Sequence, residues 1–133
     1  MRRGLAFLLA AALTAGAGAA EASLRGFLVY FDFDRAELTP GGATLVREFA
    51  TFYDPAQVSR IVVVGHADRA GEPLYNEELS LRRAETVAEA LKPQGIDPAI
   101  IAVQAKGESE PQARTPDGVP EPLNRRAEIV WLK

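Results

Sequence analysis

The stretch GHADRAGEPLYNEELSLRRAETV, residues 65–87, joins the end of an apolar run to the start of a periodic one. Upstream, RIVVVGHAD (60–68) is short and rich in β-branched residues, the composition of a buried strand. Downstream, a helix is predicted to begin between Pro73 and Asn76. Ser80, Ala84, Val87, Ala88 and Leu91 form its core stripe, and Pro93 with Gly95 stop it. Asp68 therefore stands at a strand end, before a glycine-containing turn, and Arg83 stands on the helix that follows.

At about 100° per residue the helix separates its two adjacent arginines. Arg82 points away from the stripe, with Glu78 and Glu85 at helical spacing, as ordinary solvated pairs. Arg83 falls at the flank of the stripe, and its helical neighbours Leu79, Ser80, Thr86 and Val87 include no acid. A partly buried guanidinium needs a carboxylate from elsewhere in the chain or from a ligand. Asp68 is one candidate, either paired with Arg83 to brace the turn or holding something between them. Asn76 lies two turns before Arg83 on the same face.

Outward from this unit, GFLVYFDFD (26–34) alternates Phe27, Val29, Phe31 and Phe33 against Leu28, Tyr30, Asp32 and Asp34, so a strand is expected to carry both aspartates on one face. Thr39-Pro40 reads as an N-cap followed by the first helical position, and Leu45, Val46, Phe49 and Tyr53 supply that helix's apolar stripe. IIAVQAKGE (100–108) is a short strand, the proline-rich 108–123 an exposed loop, and RRAEIVWLK (125–133) a final strand with Ala127, Ile129 and Trp131 alternating against Glu128 and Val130. The order β-α-β-α-β-β predicts an α+β fold: a mixed four-stranded sheet covered on one face by two helices.

The 133 residues suit one domain, and a 47% hydrophobic content allows a core. A net charge of −3, with no basic stripe, argues against a nucleic-acid partner. Residues 1–22 have a basic start, a short apolar run and an Ala20-Glu21-Ala22 cleavage site, and so read as a secretory signal peptide, with a short membrane anchor as the rival reading. Its removal takes away Arg2, Arg3 and Glu21, leaving residues 23–133 at net −4. The chain has no cysteine, hence no disulfide and no site for lipid attachment after the signal. A soluble domain of a bacterial periplasm, with no transmembrane segment after cleavage, is the expectation.

The residue types argue against catalysis. Asp32, Asp34 and Asp68 could suggest a metal or acid–base site, but no ligand-spaced histidine, cysteine or acidic loop accompanies them. His66, the single histidine, reads as a satisfied core or rim residue. There is no G-x-S-x-G turn and no phosphate-cradling glycine loop. No cofactor and no metal are expected.

In order along the chain, YFDFDRAELTP, GHADRAGEPLYNEELSLRRAETV, KGESEP and NRRAEIVW resemble the OmpA-like peptidoglycan-binding domain of outer-membrane porin tails, the peptidoglycan-associated lipoprotein and flagellar stator proteins. The likeness covers residues 26–133 and is nearest the lipoprotein branch. It implies that Asp68 and Arg83 grip diaminopimelate of the cell-wall stem peptide. Asn76, Asp34, Leu79, Asn124 and Arg125 match positions lining the same pocket. The implied function is non-covalent peptidoglycan binding that supports the cell envelope; the alternative is an adaptor that keeps the fold and binds another envelope protein. The sequence departs from the family in lacking the lipidated cysteine and the porin barrel, which leaves a place for an envelope protein partner as tether. Pro93 shortens the second helix, and Pro120-Glu121-Pro122 replaces a usually helical approach to Asn124.

Overall fold

A computed structural model describes residues 26–133; the signal-peptide reading concerns residues outside that range. Strand β1 (Phe27–Tyr30) leads to helix α1 (Pro40–Phe52), β2 (Arg60–Gly65), helix α2 (Pro73–Leu91), β3 (Ile101–Ala105) and β4 (Arg126–Leu132). The sheet order is β1-β4-β2-β3, with β2 and β3 parallel and β4 antiparallel to both β1 and β2. This is the predicted mixed sheet with two helices. Among the described residues no helix is long and apolar enough to cross a membrane.

The core follows the predicted periodicities. Val29, Ile61, Val63, Ala127 and Ile129 project from one face of the sheet against Val46 and Phe49 of α1 and Ala84, Val87 and Leu91 of α2. Val62, Val64 and Val130 form a smaller cluster on the alternate strand positions. Thr39 caps α1 as expected, its Oγ1 accepting from Gly42 N at 3.0 Å. Helix α2 ends at Leu91, and a short 3₁₀ turn, Lys92–Gln94, carries the chain to Gly95 at φ 89°.

Two strand boundaries differ from expectation. The alternation over 26–34 persists as a sequence pattern, yet the ladder stops at Tyr30. Beyond it the chain turns, and Asp34 adopts φ 56°, a left-handed conformation that aspartate tolerates better than most residues. Asp32 and Asp34 are thus turn residues and do not share a strand face. Strand β2 stops at Gly65, although backbone bonds from His66 N to Arg126 O and Ala67 N to Gly107 O keep the chain tied to its neighbours as far as Ala67.

At Gly65 the sheet and helix α2 approach closely. A Cβ there would stand 1.8 Å from the Ser80 carbonyl oxygen, so any side chain would push α2 away from the end of β2. That contact brings Arg83, one turn beyond Ser80, alongside the segment leaving β2. Strands β1, β2 and β3 all direct their carboxyl ends to this side of the sheet, where three loops meet: 31–39, 66–72 and 106–125.

Candidate functional site

Asp34, Asp68, Asn76 and Leu79 line one cavity of about 410 Å³, together with Phe33, Ala70, Gly71 and Tyr75. Four of the seven residues singled out in the sequence therefore meet around one space, contributed by all of the β1–α1 turn, the β2–α2 turn and the first two turns of α2. Arg83 continues the same helical face into the interior, Arg125 touches Asp68 from the opposite side, and Asn124 lies apart.

Asp68 is 5% exposed. Its Oδ1 accepts from Ala70 N at 3.2 Å; its Oδ2 accepts from Glu121 N at 3.1 Å and faces Arg125 Nη1 at 3.4 Å. The ion pair of Asp68 is therefore with Arg125, and the sequence-level alternative of a bracing Asp68–Arg83 pair is not what forms. Three contacts leave a carboxylate with further acceptor capacity. Asp34 accepts from the Tyr75 hydroxyl, a bond that is the main cause of the upward shift of the Tyr75 pKa.

The sequence placed Arg83 at the flank of the helix stripe, partly buried; it is fully buried. Its guanidinium donates to three main-chain carbonyls: Nε to Arg35 O at 2.8 Å, Nη1 to His66 O at 3.0 Å and Nη2 to Asp32 O at 3.2 Å. The same group stands over the Phe31 ring, 5.4 Å from its centroid. Among the described residues no carboxylate comes within ion-pair distance of it. Burial pulls its pKa down to about 10, and the nearby charge of Asp68, with a smaller contribution from Asp34, opposes that fall. Arg83 thus stays cationic and ties the turn after β1 to the end of β2. Of its five N–H groups these bonds use three, leaving one on each terminal nitrogen.

Asn76, 2% exposed, directs both Nδ2 hydrogens into the fold, to Gly71 O at 2.9 Å and Glu108 Oε1 at 2.8 Å. Asn124 is fully buried and bonds both faces of its amide to Ala113, accepting from N at 2.8 Å and donating to O at 2.7 Å. That geometry clamps the 108–123 loop. Arg69 adds a second clamp, through Asp117 and the Thr115 carbonyl. The loop is exposed as expected and is also tied down at several points.

Other expectations change on contact with the fold. Arg82 has no ion-pair partner among the described residues; it lies over the Tyr75 ring, 5.8 Å from the centroid. Asp32 lines a neighbouring cleft and not the cavity of Asp34 and Asp68, and no three acidic or histidine side chains converge among the described residues. His66 is buried but not satisfied: neither ring nitrogen has a hydrogen-bond partner, and Glu128 Oε2 stays 3.7 Å from Nε2. Desolvation, then the charges of Arg126 and Lys106, hold its pKa down to about 3, so the ring is neutral.

Sequence reasoning missed Tyr75 and Phe33 as cavity residues. Tyr75 could have been found from its place one residue before Asn76 and four before Leu79. The carbonyl partners of Arg83 carry no side-chain signal, because any residue supplies the same C=O.

The chain matches the model of the OmpA family over residues 30–125. It is 37% identical over 113 residues to an outer membrane protein of Gluconacetobacter diazotrophicus, a match covering 80% of this chain and 30% of that one. A peptidoglycan-associated lipoprotein of Haemophilus influenzae is 29% identical, with 87% of this chain and 76% of the relative aligned. Among solved structures, the peptidoglycan-associated lipoprotein of Burkholderia pseudomallei superposes with a TM-score of 0.70 at 31% identity, covering 79% of this chain and 89% of that one. The chain spans only about a third of the length of the first of these relatives.

Proposed function

Because this chain belongs to the OmpA family, we propose that it is a non-catalytic module of the bacterial envelope that holds peptidoglycan through the diaminopimelate of the stem peptide. The observation that carries this reading is the buried cation of Arg83, which has no carboxylate partner among the described residues and stands beside a cavity lined by Asp34 and Asp68. Diaminopimelate ends in an ammonium and a carboxylate on one carbon. Asp68 accepts from the ammonium with its remaining lone-pair capacity. The carboxylate meets the two unused N–H groups of Arg83, whose placement on separate terminal nitrogens suits a forked contact. A zwitterion entering this pair leaves neither charge without a partner.

Arg83 is covered, so the forked contact requires the turn over it to shift. That turn is Asp32–Arg35, which Arg83 itself holds through two carbonyls and which carries the one left-handed non-glycine residue among those described. Asn76 and Leu79 shape the wall of the cavity, Tyr75 fixes Asp34, and Asn124 and Arg125 act from behind by holding the loop and Asp68. Secretion to the periplasm through residues 1–22 belongs to the same reading, as does a protein partner that tethers the module to the outer membrane.

The test is co-sedimentation of the purified chain with insoluble sacculi containing diaminopimelate, and with walls carrying lysine at that position. The expected result is retention on the first only, lost in Asp68→Ala at unchanged far-ultraviolet circular dichroism. Equal retention on both walls would remove diaminopimelate from the reading. A folded parent that binds neither would turn it toward an adaptor for another envelope protein.

A further inference from the structure

Strand β1 lies at the edge of the sheet and pairs only with β4. Phe31 N donates to Arg125 O, and in the same register Phe27 and Val29 stand opposite Ile129 and Ala127. Main-chain groups alternate in direction along an antiparallel ladder, so the N–H and C=O of Leu28 and Tyr30 point away from β4. Among the described residues no other main-chain group bonds them. Beside this free edge runs a groove of about 230 Å³, between Leu28 and Tyr30 on the strand and Thr39, Gly41 and Leu45 at the start of α1. Through Tyr30 and Thr39 the groove continues into a cleft of about 480 Å³ walled by Asp32, Pro122 and Leu123.

Two further observations say what fits there. Gly42 has a packing reason, since a Cβ on it would come within 3.1 Å of Val29 Cγ1. Gly41 has none: a Cβ there would meet only Thr39 Oγ1, at 3.8 Å, although glycine is a poor helix former. Its effect is to leave the groove open to a passing backbone. The groove is also acidic at both ends. Asp32 stands at one, and Glu48, two turns beyond Gly41 on the same ridge of α1, stands at the other. Both are exposed, and among the described residues neither has an ion-pair partner. We propose that this edge docks an extended segment of another protein, added to β1 as a further strand, with an apolar side chain between Leu28 and Leu45 and a basic residue at each end against Asp32 and Glu48. Main-chain bonds to Leu28 and Tyr30 set its register. The proposal stands apart from the diaminopimelate reading, because the groove and its cleft share no lining residue with the cavity of Asp68.

The test is titration of the full chain with the peptide acetyl-Lys-Val-Thr-Val-Lys-amide, followed by amide chemical shifts and hydrogen exchange. Exchange at Leu28 and Tyr30 should slow as the peptide binds, and the counterpart with glutamate in place of both lysines should bind about tenfold more weakly. Gly41→Leu fills the groove at a position where the helix has room for a side chain. It should melt no lower than the parent, lose the peptide and match the parent in retention on sacculi. Unchanged exchange at Leu28 and Tyr30, equal affinity for the two peptides, or full peptide binding by a natively melting Gly41→Leu overturns the proposal. Protection of both amides in the chain alone, with a dimer in sedimentation, also overturns it by giving the edge to a second copy. Retention of the parent on sacculi is measured separately, and its failure touches only the diaminopimelate reading.

Discussion

The two ends of the sheet are built by different means. At one end Phe27, Phe49, Phe52 and Trp131 stack within 4.9–6.0 Å of one another, and their cohesion is burial and dispersion. At the other end Arg83, Arg125 and Asn124 are bonded to main-chain carbonyls and amides of loops far away in sequence. The apolar end is tolerant in detail, because many weak contacts share the energy. The polar end is not, because each bond has one partner and a buried group without one costs about 1–3 kcal/mol. The site is assembled on the end where a single side chain fixes the path of a loop.

Arg83→Met should separate the two ends most sharply. It strands three carbonyls and removes the buried cation, with an expected cost of about 3–5 kcal/mol in urea unfolding and complete loss of wall retention. Phe49→Ala should cost a similar amount, about 3–5 kcal/mol from lost burial and the cavity left behind, while the folded fraction retains the wall as before. If Phe49→Ala weakened binding as much as Arg83→Met, the division between the ends would fail.

Asn124→Ala is smaller. Two bonds to Ala113 are lost, for about 1–3 kcal/mol, and amide exchange should rise across 108–123 with little change in α1. Uniform exchange throughout the molecule would mean that Asn124 braces the whole fold and not the loop.

The last effect concerns His66 and appears only in acid. Its folded pKa is held down to about 3, against an ordinary value of 6.5. Between those values the unfolded chain binds a proton that the folded chain does not. The stability present above pH 6.5 is therefore lost as pH falls, at a slope approaching ~1.4 kcal/mol per pH unit. His66→Leu should flatten the acid limb of stability against pH and leave the limb above pH 7 parallel to the parent. Superimposable acid limbs would assign the acid sensitivity to other groups.

The sequence alone determined the element order, the two helix stripes, the Thr39 cap and the mixed sheet, because these follow from local periodicity and capping chemistry. It also identified Arg83 as a cation without a helical partner, and Asp68 as a strand-end acid. Tertiary structure alone decided how far β1 extends, since the Phe31–Asp34 alternation continues in the sequence although the strand ends at Tyr30 and the last backbone bond to its partner runs from Phe31 N to Arg125 O. It alone decided that Asp68 pairs with Arg125 and that Arg83 binds carbonyls of Asp32, Arg35 and His66. Side-chain pattern predicts which face a residue occupies, whereas a buried guanidinium bonds whatever main-chain oxygen the packed loops bring to it, and every residue type carries that oxygen.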